Sequence, residues 1–177
     1  MALLGLLSRR KAAPGPESGL YRAIVAQARR EEFYRHLGVP DSLEGRFDLI
    51  ALHAFLVLEP LSRRDPLLAQ ALFDHMFADF DVNLREMGVS DMTLGRRIKK
   101  LAESFMGRSA AYRQALAKSD DSDLIAALDR NLFAKVRSDP RCLGALAAYV
   151  RRESMACDEA GLIRGELAFG PPPEKPS

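Results

Sequence analysis

The chain has 177 residues, of which 47% are hydrophobic and 28% are charged, and this composition is typical of one globular domain. It excludes a fibrous or intrinsically disordered protein. The 26 basic and 24 acidic residues leave a formal net charge of +2, without the basic excess of a dedicated nucleic-acid-binding domain. We therefore expect a protein partner or a small ligand, and no DNA partner.

Residues 1–17 are predicted to be a flexible tail, because a Pro-Gly-Pro sequence separates them from the periodic sequence that follows. Their apolar residues come first and three cations, at 9–11, come after them, the reverse of the order in a secretory signal peptide. Export is therefore not expected. The richest apolar run, 49–58, is shorter than the roughly 18 residues that a membrane span needs, so no spanning helix is predicted.

Residues 18–169 are predicted to form a single helical domain, because apolar residues recur at intervals of three and four almost throughout. Alternating apolar and polar residues, the pattern of a half-buried strand, are absent from the sequence. Residues 170–177 are rich in proline and are predicted to be an extended tail. The predicted fold class is all-α, with one compact domain of about seven helices between short extended termini.

The predicted helices follow one another along the chain with short connections. The periodicity predicts helical segments that end near Gly38, Pro60 and Gly88, helices over 92–106 and 110–118, a helix after the aspartates at 120–123, and a last long helix over 140–157. Residues 158–169 are predicted to be irregular, because two glycines interrupt them.

Capping residues indicate where several of these helices begin and end. Helix starts are predicted at Asp41 with Glu44, which have the spacing of a capping box, and at Asp65-Pro66 and Asp139-Pro140. Gly88 and Gly107 are predicted to follow the last residues of two helices.

No recognisable catalytic or metal-binding motif is present. The three histidines, His36, His53 and His75, lie far apart, and the two cysteines lack the spacing of a zinc site. Nucleophile elbows and glycine-rich phosphate loops are also missing from the sequence. We therefore predict no catalytic residue, no metal and no cofactor.

Several polar residues interrupt otherwise apolar helical segments: Arg46 and Asp48 on either side of Phe47, His53 in the richest apolar run, and Arg85 and Glu86 before Met87. Arg–Asp or Arg–Glu pairs could tie helices together at a fixed register. The same residues could instead form the rim of a groove. The bulky side chains of Phe73, Phe77 and Phe80 then belong either to the core or to a cleft that accepts an apolar helix.

Four cations, Arg96, Arg97, Lys99 and Lys100, lie on the predicted helix over 92–106, opposite its apolar face. Three interpretations stay open for them. They form a solvated surface, a contact with anionic lipid, or a contact with ribosomal RNA.

An ordered set of motifs resembles one known family. It includes LYRAIVAQAR at 20–29, GRFD at 45–48, Leu52-His53 and LREMGVSD at 84–91, and it continues through Gly107-Arg108 to Ala111-Tyr112. No single motif is diagnostic, but their ordered combination resembles the ubiquinol–cytochrome c reductase assembly-chaperone family. The resemblance covers roughly residues 20–118.

The resemblance implies an all-helical, non-enzymatic chaperone that binds newly made cytochrome b and helps it enter the cytochrome bc1 complex. Mitochondrial members carry a long targeting extension, so this chain more closely resembles a bacterial member. The expected location is the cytoplasm, including the inner face of the membrane. Mitochondrial relatives also work with a small partner subunit and near the ribosome exit.

The expected client-binding groove lies between helices that carry the polar and aromatic residues described above. It comprises Arg46, Asp48, His53, Phe73, Phe77, Phe80, Arg85, Glu86 and Met87. The face of Arg96, Arg97, Lys99 and Lys100 is the expected contact with a membrane surface or the ribosome.

Two alternatives from other classes stay open. One is a haem-handling protein or small helical enzyme that uses His53 or His75 as an axial ligand or a base. The other is a nucleic-acid-binding or ribosome-binding module built on the face of Arg96 to Lys100.

Overall fold

A computed structural model of the protein describes residues 15–156 and 158–176, and this part of the chain forms eight α-helices and no β-strand. The predicted all-α fold class is confirmed. The helices are α1 (Pro16–Ala28), α2 (Glu31–Arg35), α3 (Leu43–Arg64), α4 (Pro66–Glu86), α5 (Asp91–Leu116), α6 (Ser122–Leu132), α7 (Pro140–Met155) and α8 (Glu159–Arg164). The three cations at 9–11 and Cys157 lie outside the described residues.

Helix α3 is the centre of the fold, because its apolar residues point to two sides. Leu49, Leu52 and Phe55 pack against α2, α6, α7 and the end of α5. Residues at 51, 54, 57 and 61 pack against α1, α4, α8 and Phe105 of α5. The spacing of three and four residues on each side is that of a helix buried on two faces.

The start of α3 differs from the prediction by one residue. Ser42 is the N-cap, and its hydroxyl accepts a hydrogen bond from the N–H of Gly45 at 3.1 Å. Asp41 forms an ion pair with Arg46 instead. Gly45 is required here because a Cβ atom would lie 2.0 Å from the carbonyl oxygen of Pro40.

Two predicted helix ends are wrong. Helix α3 continues through Pro60 to Arg64, because the proline removes one intrahelical hydrogen bond while Leu61 extends the buried face. Residues 92–106 and 110–118 belong to one helix, α5, and Gly107 lies within it. An exposed glycine in a helix weakens the helix without ending it when the residues on both sides are buried.

Other boundaries agree with the prediction. Asp65 caps α4 by accepting the N–H of Leu68, and Asp139 caps α7 by accepting the N–H of Arg141. Gly88 follows α4 with a φ of +82°, a conformation that glycine adopts without strain. The prediction of an irregular segment over 158–169 is wrong in part, because residues Glu159–Arg164 form α8, which Gly165 caps with a positive φ of +77°.

Candidate functional site

The aromatic residues predicted for a groove come together, but they form part of the core. Phe73, Phe77 and Phe80 lie on α4, with ring centroids 4.5 Å apart for the first pair and 5.5 Å for the second. Phe47 of α3 packs on Phe80, and Phe105 of α5 packs on Phe77. Phe77 and Phe80 are buried and Phe73 is half-buried, so these rings fill the space between three helices.

Arg46 and Asp48 bind different partners and not each other. Arg46 binds the exposed Asp41, whereas Asp48 accepts from Nη2 of Arg108 on α5 at 2.7 Å. The reason is that residues two apart on a helix point in different directions. Burial raises the pKa of Asp48 to about 6, although the guanidinium of Arg108 opposes the shift.

The guanidinium of Arg108 also lies over the ring of Phe47, 5.5 Å from its centroid. Arg108 was not among the predicted site residues, because its partner is on a distant part of the sequence. It joins α3 to α5 beside the aromatic cluster.

His53 is fully buried and belongs to the core. Its Nδ1 lies 2.8 Å from the carbonyl oxygen of Leu49, and its Nε2 lies 2.9 Å from the hydroxyl of Tyr149. Because a carbonyl only accepts, we assign the proton to Nδ1, and Nε2 accepts from Tyr149. Burial lowers the pKa of His53 to about 4, so the ring is neutral at pH 7 and neither nitrogen is free for a ligand or a substrate. His53 therefore does not line a surface groove.

The hydrogen bonds of His53 continue to the C-terminal segment 166–173. Nε2 of Gln27 donates to the hydroxyl of Tyr149 and to the carbonyl oxygen of Gly170, both at 2.9 Å. The N–H of Gly170 donates to Glu153 at 2.9 Å. Phe169 places its ring edge-on to His53, with centroids 5.1 Å apart. This network fixes an extended segment over the junction of α1, α3 and α7.

A cleft of about 780 Å³ lies beside that segment. Small and apolar side chains line most of it, and Arg22, Glu153, Asp158 and Glu166 add charges. The apolar lining residues are Ala23 and Ala26 of α1, Leu56 and Val57 of α3, Leu162 of α8, and Leu167 and Phe169. Four separate parts of the sequence build the cleft, which explains why no single motif indicated it. Its volume is within the range of ligand-binding clefts, and its lining combines apolar and charged groups.

The connection between α4 and α5 is fixed by Arg85 and not by an Arg85–Glu86 pair. Nε of Arg85 binds Asp81 at 2.7 Å, one turn earlier on α4, and Nη1 binds Asp91 at the start of α5. Glu86 and Met87 are exposed. Arg85 thus bridges the two helices at their junction.

The four cations predicted to share a face, Arg96, Arg97, Lys99 and Lys100, are all exposed on the first half of α5. Lys99 lies 3.8 Å from Glu103, one turn further along the helix. Leu94 and Phe105 are buried on the opposite side, so the amphipathic character predicted for this helix is confirmed.

Within the described ranges, no group of three His, Cys, Asp or Glu residues is placed to hold a metal ion. His75 is half-buried against the ring of Tyr21, with centroids 5.3 Å apart. None of the helices in residues 15–156 and 158–176 is long and apolar enough to cross a membrane.

The chain is similar to known proteins over most of its length. Residues 35–165 match the family described as ubiquinol-cytochrome C chaperone. Ubiquinol-cytochrome-c reductase complex assembly factor 1 of Xenopus laevis is 29% identical over 163 residues, which cover 88% of this chain and 81% of that protein. The Mus musculus factor is 28% identical over the same share of this chain, but the match covers 55% of its own length.

A solved structure has the same fold. The crystal structure of the Cbp3 homolog from Brucella abortus is 36% identical and superposes with a TM-score of 0.76, covering 88% of this chain and 89% of that one. The helical architecture, the match over most of the chain and the named relatives agree with one another. The chain belongs to the ubiquinol-cytochrome C chaperone family, and it is similar to proteins named as assembly factors of the ubiquinol–cytochrome c reductase complex.

Proposed function

We propose that this chain is a non-enzymatic assembly factor that binds newly synthesised cytochrome b and promotes its incorporation into the cytochrome bc1 complex. The match of residues 35–165 to the chaperone family carries this proposal. The hydrogen bonds of His53 to Leu49 and Tyr149 support the non-enzymatic part of the proposal. Both ring nitrogens of His53 are occupied, so this histidine is not free to act as a base or a ligand. A chaperone needs a surface for apolar client segments and no reactive group.

The cleft beside the C-terminal segment is the surface that best suits such a client. Ala23 and Ala26 line it from one face of α1, and small side chains let a client helix approach closely. The floor of Leu56 and Val57 offers apolar contact at the junction of the two core clusters. An apolar helix in a groove is a common mode of peptide recognition.

The residues predicted from the sequence remain a second part of the proposed client surface. Phe73 is half-buried and Met87 is exposed, so both offer apolar contact without rearrangement, and Arg46, Arg85 and Glu86 are exposed charges. Asp48, His53, Phe77 and Phe80 are buried and act in this proposal by shaping the surface from below.

The proposed place of action is the cytoplasm, at the inner membrane face, where a membrane-protein client would be received. The cations Arg96, Arg97, Lys99 and Lys100 are exposed and available for an anionic partner there, either the membrane surface or the ribosome.

The proposal is tested by deleting the gene and restoring it with variants. Deletion is expected to lower the amount of assembled cytochrome bc1 complex, and the wild-type gene restores it. Ala26→Trp places a large side chain in the cleft and is expected to restore assembly poorly. The matched control is Ala126→Trp, at an exposed alanine of α6 away from the cleft. A normal level of the complex in the deletion strain contradicts the assembly role. Full restoration of assembly by Ala26→Trp contradicts the claim that the cleft binds the client.

A further inference from the structure

The outer face of α5 carries exposed methionines as well as cations. Met92 is 93% exposed and Met106 is 59% exposed, the first value among the highest for a large apolar side chain in this structure. From the helical repeat, Met92, Arg96, Lys99, Glu103 and Met106 fall within an arc of about 80°. This arc is opposite the buried Leu94 and Phe105. We call these five residues, with Lys100 at their edge, the α5 outer face.

The spacing along α5 separates the apolar and charged parts. Met92 and Met106 are about 21 Å apart along the axis, and the cations lie between them. Lys99 contacts Glu103 at 3.8 Å, while Arg96, Arg97 and Lys100 form no ion pair within the described part of the chain. Residues 92–106 carry four cations and one acid, Glu103, a net charge of +3.

Both RNA and an anionic bilayer offer phosphate groups to the cations, but of these two partners the bilayer also offers an apolar region to the methionines. RNA phosphates bind lysine and arginine, but an RNA surface gains nothing from an exposed thioether. At an anionic bilayer, cations lie among the headgroups while apolar side chains enter the boundary with the acyl chains. Methionine suits this position because it is flexible and apolar.

Helices α4 and α5 form a helical hairpin, and Arg85 bridges them beside this face. Arg85 binds Asp81 on α4 and Asp91 at the start of α5, and Met87 lies exposed at the same junction. The face lies on a regular helix of 26 residues, which loses less conformational entropy on binding than a flexible segment does.

We propose that the α5 outer face is a membrane-docking surface, which binds an anionic lipid bilayer with Arg96, Lys99 and Lys100 at the headgroups and with Met92 and Met106 at the acyl boundary. The biological role of this docking rests on the proposed function, because it would hold the chaperone where a membrane client is inserted. The binding itself needs no client.

The test uses the purified full chain and lipid vesicles without any client protein. The probe is a vesicle of phosphatidylglycerol and phosphatidylcholine in about equal parts, compared with phosphatidylcholine alone, in a sedimentation assay. Each cation near an anionic surface contributes roughly a fivefold gain in binding. Arg96→Glu/Lys99→Glu is therefore expected to lower binding to the anionic vesicles by about 25-fold or more, and added salt is expected to weaken wild-type binding.

The methionines are tested separately with Met92→Ser/Met106→Ser, which is expected to lower binding several-fold at unchanged charge. Matched controls are Arg130→Glu/Arg137→Glu, at exposed cations around α6, and Met155→Ser, at a methionine 74% exposed on α7. Circular dichroism checks that each variant is folded, which the exposure of all these positions favours.

Three results would overturn the proposal. One is that the wild-type chain does not bind anionic vesicles. Another is that the α5 variants lose no more binding than their controls, which would assign membrane binding to another part of the chain. The third is that the charge variant loses binding to purified ribosomes but keeps vesicle binding, which would assign the face to RNA. None depends on cytochrome b, so failure here is distinct from failure of the assembly role.

Discussion

Two polar side chains of α3, Asp48 and His53, lie about one and a half turns apart on the same buried helix. They differ in their burial and in their hydrogen-bond partners. His53 is enclosed, neutral and hydrogen-bonded through both ring nitrogens. Asp48 lies nearer the edge and depends on one charged partner, Arg108. The comparison shows that a polar residue in an apolar helix takes its role from what packs across from it.

The consequences of the two arrangements also differ. The His53 network ends on Gly170 and fixes the C-terminal segment beside the cleft. The Asp48–Arg108 pair joins α3 to α5, the helix that carries the outer face. The His53 network therefore shapes the proposed client surface, and the Asp48–Arg108 pair positions the helix that carries the proposed membrane surface.

Removal of Arg108 should have the largest effect. Arg108→Leu leaves the buried carboxylate of Asp48 without its partner, and we expect a loss of about 3 kcal/mol in the free energy of unfolding at pH 7. The loss should be smaller at pH 5, where Asp48 is protonated. Denaturant unfolding measures it. The control Arg46→Leu breaks an exposed pair and should change little. Equal losses for the two variants would show that burial of the pair is unimportant.

Disruption of the hydrogen bonds around His53 should have the second largest effect. Tyr149→Phe removes the hydroxyl that donates to His53 and accepts from Gln27, and we expect a loss of about 2 kcal/mol in the free energy of unfolding. Faster hydrogen exchange in the segment 166–173 should accompany it. Tyr34→Phe removes a single hydroxyl bond, to the carbonyl oxygen of Ala28, and serves as the milder control. Unchanged exchange in 166–173 would contradict the proposed linkage.

The pH dependence of the free energy of unfolding should distinguish the contribution of Asp48 from that of His53. The pKa of Asp48 is raised in the fold, so its protonation favours folding, and this contribution is lost as the pH rises through about 6. The pKa of His53 is lowered in the fold, so its contribution is lost as the pH falls from 6.5 towards 4.

Asp48→Asn removes the first effect and keeps the second. On going from pH 7 to pH 5, the wild type should gain about 1 kcal/mol in the free energy of unfolding relative to this variant. Urea unfolding at the two pH values measures the difference. A constant difference would show that Asp48 has the same pKa in the folded and unfolded chains.

The smallest effect is expected beside Arg108. Gly107→Ala replaces an exposed glycine within α5, where an added Cβ atom meets no atom within 4 Å, and should stabilise the protein by about 0.7 kcal/mol. Thermal unfolding measures the gain. Gly88→Ala is the contrasting variant and should destabilise, because the φ of +82° is strained for alanine. Destabilisation by Gly107→Ala would show that the glycine has a role in α5 beyond helix propensity.

Much of the fold could be predicted because its signals are local. The apolar periodicity indicates the helices, and Asp65, Asp139 and Gly88 mark boundaries through bonds to residues close in sequence. Gly107 misled the prediction because the packing of Phe105 and Tyr112 on either side outweighs the low helix propensity of one glycine.

The candidate site was less predictable because its contacts are distant in sequence. Asp48 pairs with Arg108, and His53 pairs with Tyr149, and no local pattern specifies either partner. The cleft combines α1, α3, the end of α7 and the C-terminal segment, each unremarkable alone. The cations of α5 were predicted from periodicity, whereas the exposure of Met92 and Met106 required the packing of the whole hairpin.

The most direct test of the account is crosslinking from inside the cleft in cells that are making the bc1 complex. A photo-reactive amino acid at position 26 faces the cleft, and one at position 126 on α6 is the control. We expect cytochrome b to be captured from position 26 and not from position 126, with the yield falling when synthesis of cytochrome b is stopped. Capture from neither position, in cells where the protein is present and folded, would contradict the claim that the cleft binds this client.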